Sequence, residues 1–253
     1  VTGVQTCALP ILHDPNFDLN AVSLTDTRAY QIFSTANTSA VFQFESRGMR
    51  DLLKRARPDR FEDIIALVAL YRPGPMDLIP DFCDRKQGKQ AVNYPDPRVE
   101  AILSETYGIM VYQEQVMQMA QIIGGYSLGG ADLLRRAMGK KKPEEMAEHR
   151  GIFATGAGKN GLSESKANDL FDLMEKFAGY GFNKSHAAAY ALVAYQTAYM
   201  KAHFPAAFMA ANLSAVMDDT DKVHAFRDDA LANGLKLLPP DRSEEHTSEP
   251  SHT

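Results

Sequence analysis

The sequence predicts a mainly α fold with a few short strands, and three observations carry that reading. Most of the 253 residues fall into segments whose apolar side chains recur at helical intervals. Glycine and proline separate those segments, and several open on a serine, asparagine or aspartate suited to capping a helix. Strand-like runs are short: Ala40-Val-Phe-Gln-Phe44 and Gly108-Ile-Met-Val-Tyr112.

The bulk numbers bound the class. Apolar residues make up 45% and charged residues 23%, the balance of a globular chain with a core to bury. The length allows one large domain or two small ones. Two cysteines, Cys7 and Cys83, offer neither a disulfide framework nor zinc-ligand spacing, so a reducing compartment is the default. No apolar run approaches the roughly 20 residues that span a bilayer, and the start lacks the cationic opening of a signal peptide. The expected setting is cytoplasmic, with no membrane partner.

Residues 1–11 and 242–253 show neither periodicity nor a hydrophobic face and read as foreign, adapter-like sequence, leaving 12–241 as the domain. Glu45 to Arg57 has helical period and ends before Pro58. Its cations Arg47, Arg50, Lys54 and Arg57 project into one sector, while Met49, Leu52 and Leu53 point elsewhere. Such a stripe fits a solvated face, or contact with a nucleic-acid backbone. Phe61 to Leu70 reads as a buried helix, stopped by Tyr71-Arg-Pro-Gly-Pro75. The two prolines fix a rigid turn with Arg72 just ahead of it, a solvated arginine if the turn is only a surface feature. Asp77 to Lys89 predicts a short helix. Gln113 to Ile123 predicts another, with Val116, Ala120 and Ile123 on one face.

Gly124-Gly125 ends that helix, and Ser127 is placed to cap the next. There the charge reverses. Against a net charge of −5, Arg135, Arg136, Lys140, Lys141 and Lys142 place five cations in eight residues. Concentrated positive potential suits a polyanion, and paired guanidinium forks suit phosphate. The same run also fits a helix C-terminus, whose dipole favours cations. Pro143-Glu-Glu145 opens a further helix. It runs into Gly156-Ala-Gly-Lys-Asn-Gly161, which matches G-x-G-x-x-G but follows a helix instead of a strand. It therefore reads as a helix stop and loop, not a dinucleotide site. No P-loop pattern appears.

Ser163 caps a helix through Phe177, with Leu170, Phe171, Leu173 and Met174 as its core side. Gly179-Tyr-Gly-Phe-Asn-Lys-Ser-His186 then leads into a long helix from about Ala187 to His203, capped by Asn183 or Ser185. Lys184 and His186 thus lie at a helix N-terminus, where backbone N–H groups favour an anion. A structural histidine would sit there equally well. Pro205 starts another helix, and Asp218-Asp-Thr-Asp221 leads into the last, ending at Gly234.

Two candidate anion sites follow, around Arg135–Lys142 and around Lys184–His186. Paired carboxylates for two metal ions, nucleophile–base pairs and zinc spacings are not found in the sequence. Asp218-Asp219 and Asp228-Asp229 fit solvated helix positions. The pattern is that of a binding element, with no metal ligands of its own.

Five blocks resemble the bacterial C-family replicative DNA polymerases, the DNA polymerase III alpha family. They are Phe42-Gln-Phe-Glu-Ser-Arg-Gly-Met49, Tyr71-Arg-Pro-Gly-Pro75, Tyr112-Gln-Glu-Gln115, Leu133-Leu-Arg-Arg-Ala-Met-Gly-Lys-Lys-Lys142 and Tyr180-Gly-Phe-Asn-Lys-Ser-His186. The resemblance runs from about His13 to Asp241 and implies a multi-helix fingers domain. It implies dNTP as ligand for Arg72, Arg135, Arg136, Tyr180, Asn183, Lys184 and His186. It implies template-primer DNA for Arg47, Lys54, Lys140, Lys141 and Lys142. The catalytic carboxylates that hold Mg²⁺ in the intact enzyme would lie outside this chain, as would contacts with the sliding clamp and other polymerase III holoenzyme subunits. The chain by itself is expected to be inactive. The competing readings are a non-catalytic helical module that binds DNA backbone, and a helical scaffold with merely solvated basic runs.

Overall fold

The computed structural model describes residues 16–140 and 143–238. Both end segments expected to be foreign, Cys7, Lys141 and Lys142 lie outside the described residues. Among those residues there are twelve α-helices, joined by short 3-10 turns. The chain divides into two compact units, Val22–Tyr199 and a second built from residues up to Ala21 together with Met200 onward.

In the larger unit, α1 (Thr27–Ser34) is capped by Asp26, whose side chain accepts from the Ala29 N–H. Ser46 caps α2 (Arg47–Ala56) in the same way. Met49, Leu52, Leu53 and Ala56 are buried, as the period predicts, while Arg47 and Lys54 face water. Arg50 leaves the basic stripe and donates to Ser39 Oγ at 2.9 Å. Arg57 ends α2 in the left-handed region at φ 46°. The buried helix is α3 (Phe61–Leu70). The predicted 77–89 helix is a 3-10 turn, Pro75–Leu78, followed by α4 (Ile79–Lys86).

A four-residue helix, α5 (Glu100–Leu103), precedes α6 (Gln113–Gly124), α7 (Leu128–Lys140), α8 (Pro143–Lys159), α9 (Glu164–Ala178) and α10 (Lys184–His203). Two apolar clusters fill this unit. One gathers α1 to α4 around Ala187, Ala191, Ala194, Tyr195 and Ala198 of α10. The other joins α6 to α9 through Met119, Leu134, Phe153 and Phe171. The alanine stripe lets α10 lie close to its neighbours. The smaller unit holds α11 (Pro205–Ala215) and α12 (Thr220–Ala232). Phe208 and Phe226 are buried there, and Lys201 is held by Asp229 at 2.8 Å.

Four expectations need correction. Residues 40–44 form turns instead of a strand: Val41 N–H bonds Thr38 O, Phe44 N–H bonds Val41 O, and Ala40 and Gln43 take φ of 61° and 64°. With no strand alongside, these backbone groups find partners locally, and Thr38 Oγ1 donates to Phe44 O at 2.6 Å. Residues 108–112 contribute only a parallel bridge, Tyr112 to Phe182, and no strand exists among the described residues. α8 passes through Gly156 and Gly158 before stopping at Lys159, because Gly156 is packed in a helix crossing and not in a loop. Leu173 is 40% exposed, whereas Leu170, Phe171 and Met174 are buried. Its position on α9 lies just beyond the face that α6 and α8 cover.

Candidate functional site

The start of α6 gathers most of the residues singled out in the sequence. Gln113 N–H bonds Phe182 O at 2.9 Å, and Phe182 N–H bonds Val111 O at 3.1 Å, so residues 111–113 and 181–183 run side by side. The Gln113 side chain extends the connection in two directions. Its Nε2 donates to Gly181 O at 3.0 Å, and its Oε1 accepts from Arg135 Nη1 at 3.2 Å. Arg135, on α7, is thereby tied to the segment that leads into α10.

Arg72 approaches the same segment from the rigid turn. Its Nε donates to Ala69 O at 2.7 Å and its Nη2 donates to Tyr180 O. Its guanidinium lies 4.5 Å from the centroid of the Phe182 ring, a cation–π contact. Partial burial lowers the pKa of this group. Gly74 shows why the turn needs glycine: its φ is 99°, and an added Cβ would sit 2.5 Å from the Tyr180 ring. Tyr180 thus lies against Gly74 and stays 46% exposed.

The helix start itself is capped by Asn183, whose Oδ1 accepts from His186 N–H at 2.8 Å; Ser185 falls inside α10. Helical geometry begins at Lys184, earlier than the apolar period suggests. His186 is exposed and stacks on Tyr190 with centroids 4.3 Å apart, edge-on to Phe182 at 5.4 Å. Arg72 over Phe182, Phe182 edge-on to His186, and His186 stacked on Tyr190 thus form a run of ring contacts.

Internal carboxylates hold the anion donors of this region. Glu114 accepts from Asn183 Nδ2 and from Lys184 N–H, both at 3.0 Å. Glu105 takes Lys184 Nζ on both oxygens at 2.7 Å. Asp132 accepts from Arg135 Nη2 at 2.7 Å and from Arg136 Nε at 2.8 Å. The Arg135 hydrogen bond, then the charges of both arginines, hold the Asp132 carboxyl below the usual range. Each pair is half-exposed, so its net contribution to stability is small. A ligand anion would meet donors that are aligned and exchangeable.

Behind Glu105 lies a buried ionic group. Asp63 is fully buried inside the apolar run of α3. It accepts from Tyr107 Oη at 2.8 Å and pairs with Lys86 Nζ at 2.8 Å and Arg60 Nε at 3.2 Å. Arg60 Nη2 in turn donates to Glu105 O at 2.9 Å. Burial, reinforced by the Asp63 charge, pushes the Tyr107 hydroxyl up to about 12. This buried group thus holds the backbone of Glu105, whose carboxylate holds Lys184.

The arrangement splits the candidate site residues. Arg72, Arg135, Tyr180, Asn183, Lys184 and His186 are joined through α6 and Phe182. Arg136 is 62% exposed and turns instead toward a hollow of about 640 Å³, shared with Lys140, Tyr126, Glu148 and His149. Arg47 and Lys54 lie on α2, and the Lys54–Asp51 pair at 3.7 Å is loose, each side chain 63% exposed. Gln113 and Glu114 stand in the Tyr112–Gln115 block without an assigned role, and Glu105 and Asp132 were not singled out from the sequence. Asp132 was visible there, three and four residues ahead of the arginines on one helix. The other three meet their partners only through the fold.

Among the described residues no three His, Cys, Asp or Glu side chains gather where they could hold a metal ion. No helix of the described residues is long and apolar enough to cross a membrane.

Comparison with known proteins places these features in context. Residues 6–161 match the family model for the bacterial DNA polymerase III alpha subunit finger domain. The chain is 69% identical over 224 residues to the DNA polymerase III subunit alpha of Xylella fastidiosa (strain 9a5c), covering 88% of the chain and 19% of that protein. It is 65% identical over 227 residues to that of Neisseria meningitidis serogroup A, covering 90% of the chain and 20% of that protein. With the Escherichia coli K12 protein the identity is 57% over 235 residues, covering 90% and 20%. The chain spans about a fifth of the length of the curated relatives it matches.

Proposed function

The chain belongs to the family of bacterial DNA polymerase III alpha subunit finger domains, and from that premise we propose that it binds the incoming dNTP during template-directed DNA synthesis by the whole polymerase. Within it, residues 12–241 form the finger region. One observation carries the reading: Arg135 of α7, Arg72 of the rigid turn and the Asn183–His186 start of α10 are joined across the first turn of α6. Guanidinium groups, an ammonium and the N–H groups of a helix start are the donors a triphosphate requires. Glu105, Glu114 and Asp132 keep those donors aligned until the phosphates displace them. Tyr180, Phe182 and the stacked His186–Tyr190 pair offer flat surfaces beside the phosphates for sugar or base. Held this way, the α-phosphorus is oriented for attack by the primer hydroxyl, and the cations stabilise charge growing on the leaving pyrophosphate.

Arg136, beside Arg135 on the same Asp132, is the proposed second guanidinium for the triphosphate. Arg47, Lys54, Lys140, Lys141 and Lys142 are the proposed contacts with template-primer DNA. The exposure of Arg47, Lys54 and Lys140 also supports the alternative, a non-catalytic module for DNA backbone. Mg²⁺ would be held by carboxylates of the polymerase outside this chain, and clamp and other holoenzyme contacts would lie there too. A cytoplasmic setting follows from the same proposal.

The test is single-nucleotide incorporation by the whole polymerase carrying Arg135→Ala. The expected result is a drop of about 10²-fold in kcat/KM for dNTP, the magnitude for losing one charge-stabilising donor. An unchanged kcat/KM, with weaker DNA binding at low salt instead, supports the alternative.

A further inference from the structure

Three consecutive polar side chains open α6, and each holds a different part of the larger unit. Gln115 is buried and turned inward: Oε1 accepts from Val111 N–H and Tyr112 N–H, and Nε2 donates to Thr106 Oγ1 and Ile102 O. Glu114 holds the start of α10. Gln113 touches both α7 and the segment before α10.

We propose that Gln113 is a positioning residue for nucleotide handling, its carboxamide fixing Arg135 against the Tyr180–His186 segment so that donors from two helices face one ligand. This rests on the nucleotide reading of that cluster. Three observations carry it. First, the two partners demand opposite chemistry. Arg135 can only donate and Gly181 O can only accept, so the bridging group must offer an acceptor and a donor at once. A carboxamide does so, and its orientation is fixed by the two partners. A carboxylate would keep Arg135 and repel Gly181 O; an alkyl chain would do neither.

Second, the stem of Gln113 is closely seated. A Cβ added at Gly181 would lie 3.1 Å from Gln113 Cγ and 3.4 Å from Gln113 N. The segment at 181 thus rests directly on this side chain. Third, the backbone bonds between Gln113 and Phe182 and between Phe182 and Val111 hold the two segments together without the side chain. Arg135 also retains Asp132. Losing the carboxamide should therefore leave the fold intact and free Arg135 to swing toward Asp132 alone.

The test is a double-mutant cycle in the whole polymerase with Gln113→Met, Arg135→Ala and the pair. Methionine keeps the stem beneath Gly181 and removes both hydrogen bonds. We expect Gln113→Met to lower kcat/KM for dNTP about tenfold, chiefly through KM, with an unchanged thermal midpoint. The double variant should be no worse than Arg135→Ala alone, since the amide acts through that arginine. Gln113→Glu should fall close to Gln113→Met. If Arg135→Ala impairs incorporation but Gln113→Met does not, or if the two losses multiply, the positioning role is overturned and the nucleotide reading stands. If Arg135→Ala leaves dNTP kinetics unchanged, the nucleotide reading falls and takes this inference with it.

Discussion

Gly156→Ala should destabilise the chain severely, while Gly158→Ala, two residues along the same helix, should stabilise it. α6 and α8 cross with their backbones in contact at Gly124 and Gly156. A Cβ built on Gly156 would lie 1.8 Å from Gly124 O and 2.6 Å from Gly124 C, where ordinary contact begins near 3.4 Å. No side chain can rotate away, because the obstacle is backbone. The helices would have to separate by about 1.6 Å at the crossing, the shortfall between those two distances. Gly124 is close-packed in its turn, a Cβ there meeting the Phe153 ring at 2.6 Å. Phe153 is fully buried and packs on Phe171 at 5.6 Å, so opening the crossing loosens the centre of the second apolar cluster. Overpacking typically costs about 1–3 kcal/mol. An unyielding backbone contact belongs at the upper end, and alanine returns about 0.5–1 kcal/mol of helix preference. A net loss of roughly 2–2.5 kcal/mol follows from those two terms. At Gly158 nothing lies within 4 Å, so only the helix preference remains, a gain of about 0.5–1 kcal/mol. Urea unfolding followed by circular dichroism measures both variants against the parent chain. Unfolding free energies for the two variants that agree to within about 0.5 kcal/mol would refute the crossing as described.

The two carboxylates on Lys86 should differ in the same assay. Asp59 and Asp63 lie 2.7 and 2.8 Å from its Nζ, but the Asp59 side chain is 77% exposed and Asp63 is fully buried. Asp63→Ala strips a buried network and should cost about 3–5 kcal/mol, whereas Asp59→Ala should cost under about 1 kcal/mol; equal losses would contradict this assignment. Asp96 predicts an acid dependence. It is buried and accepts from Arg98 Nε at 2.7 Å, with Lys166 Nζ 2.9 Å away. The Arg98 hydrogen bond holds its carboxyl well below the ordinary carboxylate range. A depressed folded pKa contributes stability that is complete above the unfolded value near ~4 and is lost as pH falls toward the folded one. Stability should therefore decline below about pH 4, and Asp96→Asn should flatten that decline; an Asn variant with the parent's acid profile would remove Asp96 as its source.

The sequence by itself determined the helical architecture and the face that most helices bury. Met49, Leu52 and Leu53, or Val116, Ala120 and Ile123, declare their side through spacing alone, because helical period is a local property. Caps at Ser127, Ser163 and Asn183 are equally local, each a side chain bonding the N–H three residues on. The five blocks of family resemblance were also legible, and so were the cations. What the tertiary structure decided is which cations share a site and what each does there. Arg135 and Arg136 are adjacent in sequence, yet one meets Gln113 and the other a separate hollow, since successive helical residues point about 100° apart. The run at 40–44 has strand-like residues but curls into turns, as no second strand arrives to pair with it. Glycines two positions apart in α8 look alike in sequence, and only the crossing with α6 separates a packed one from a free one. Gln113, Glu114 and Glu105 gain their roles from partners 22 to 79 residues away. Distances that long along the chain are closed by packing, and no local pattern encodes them.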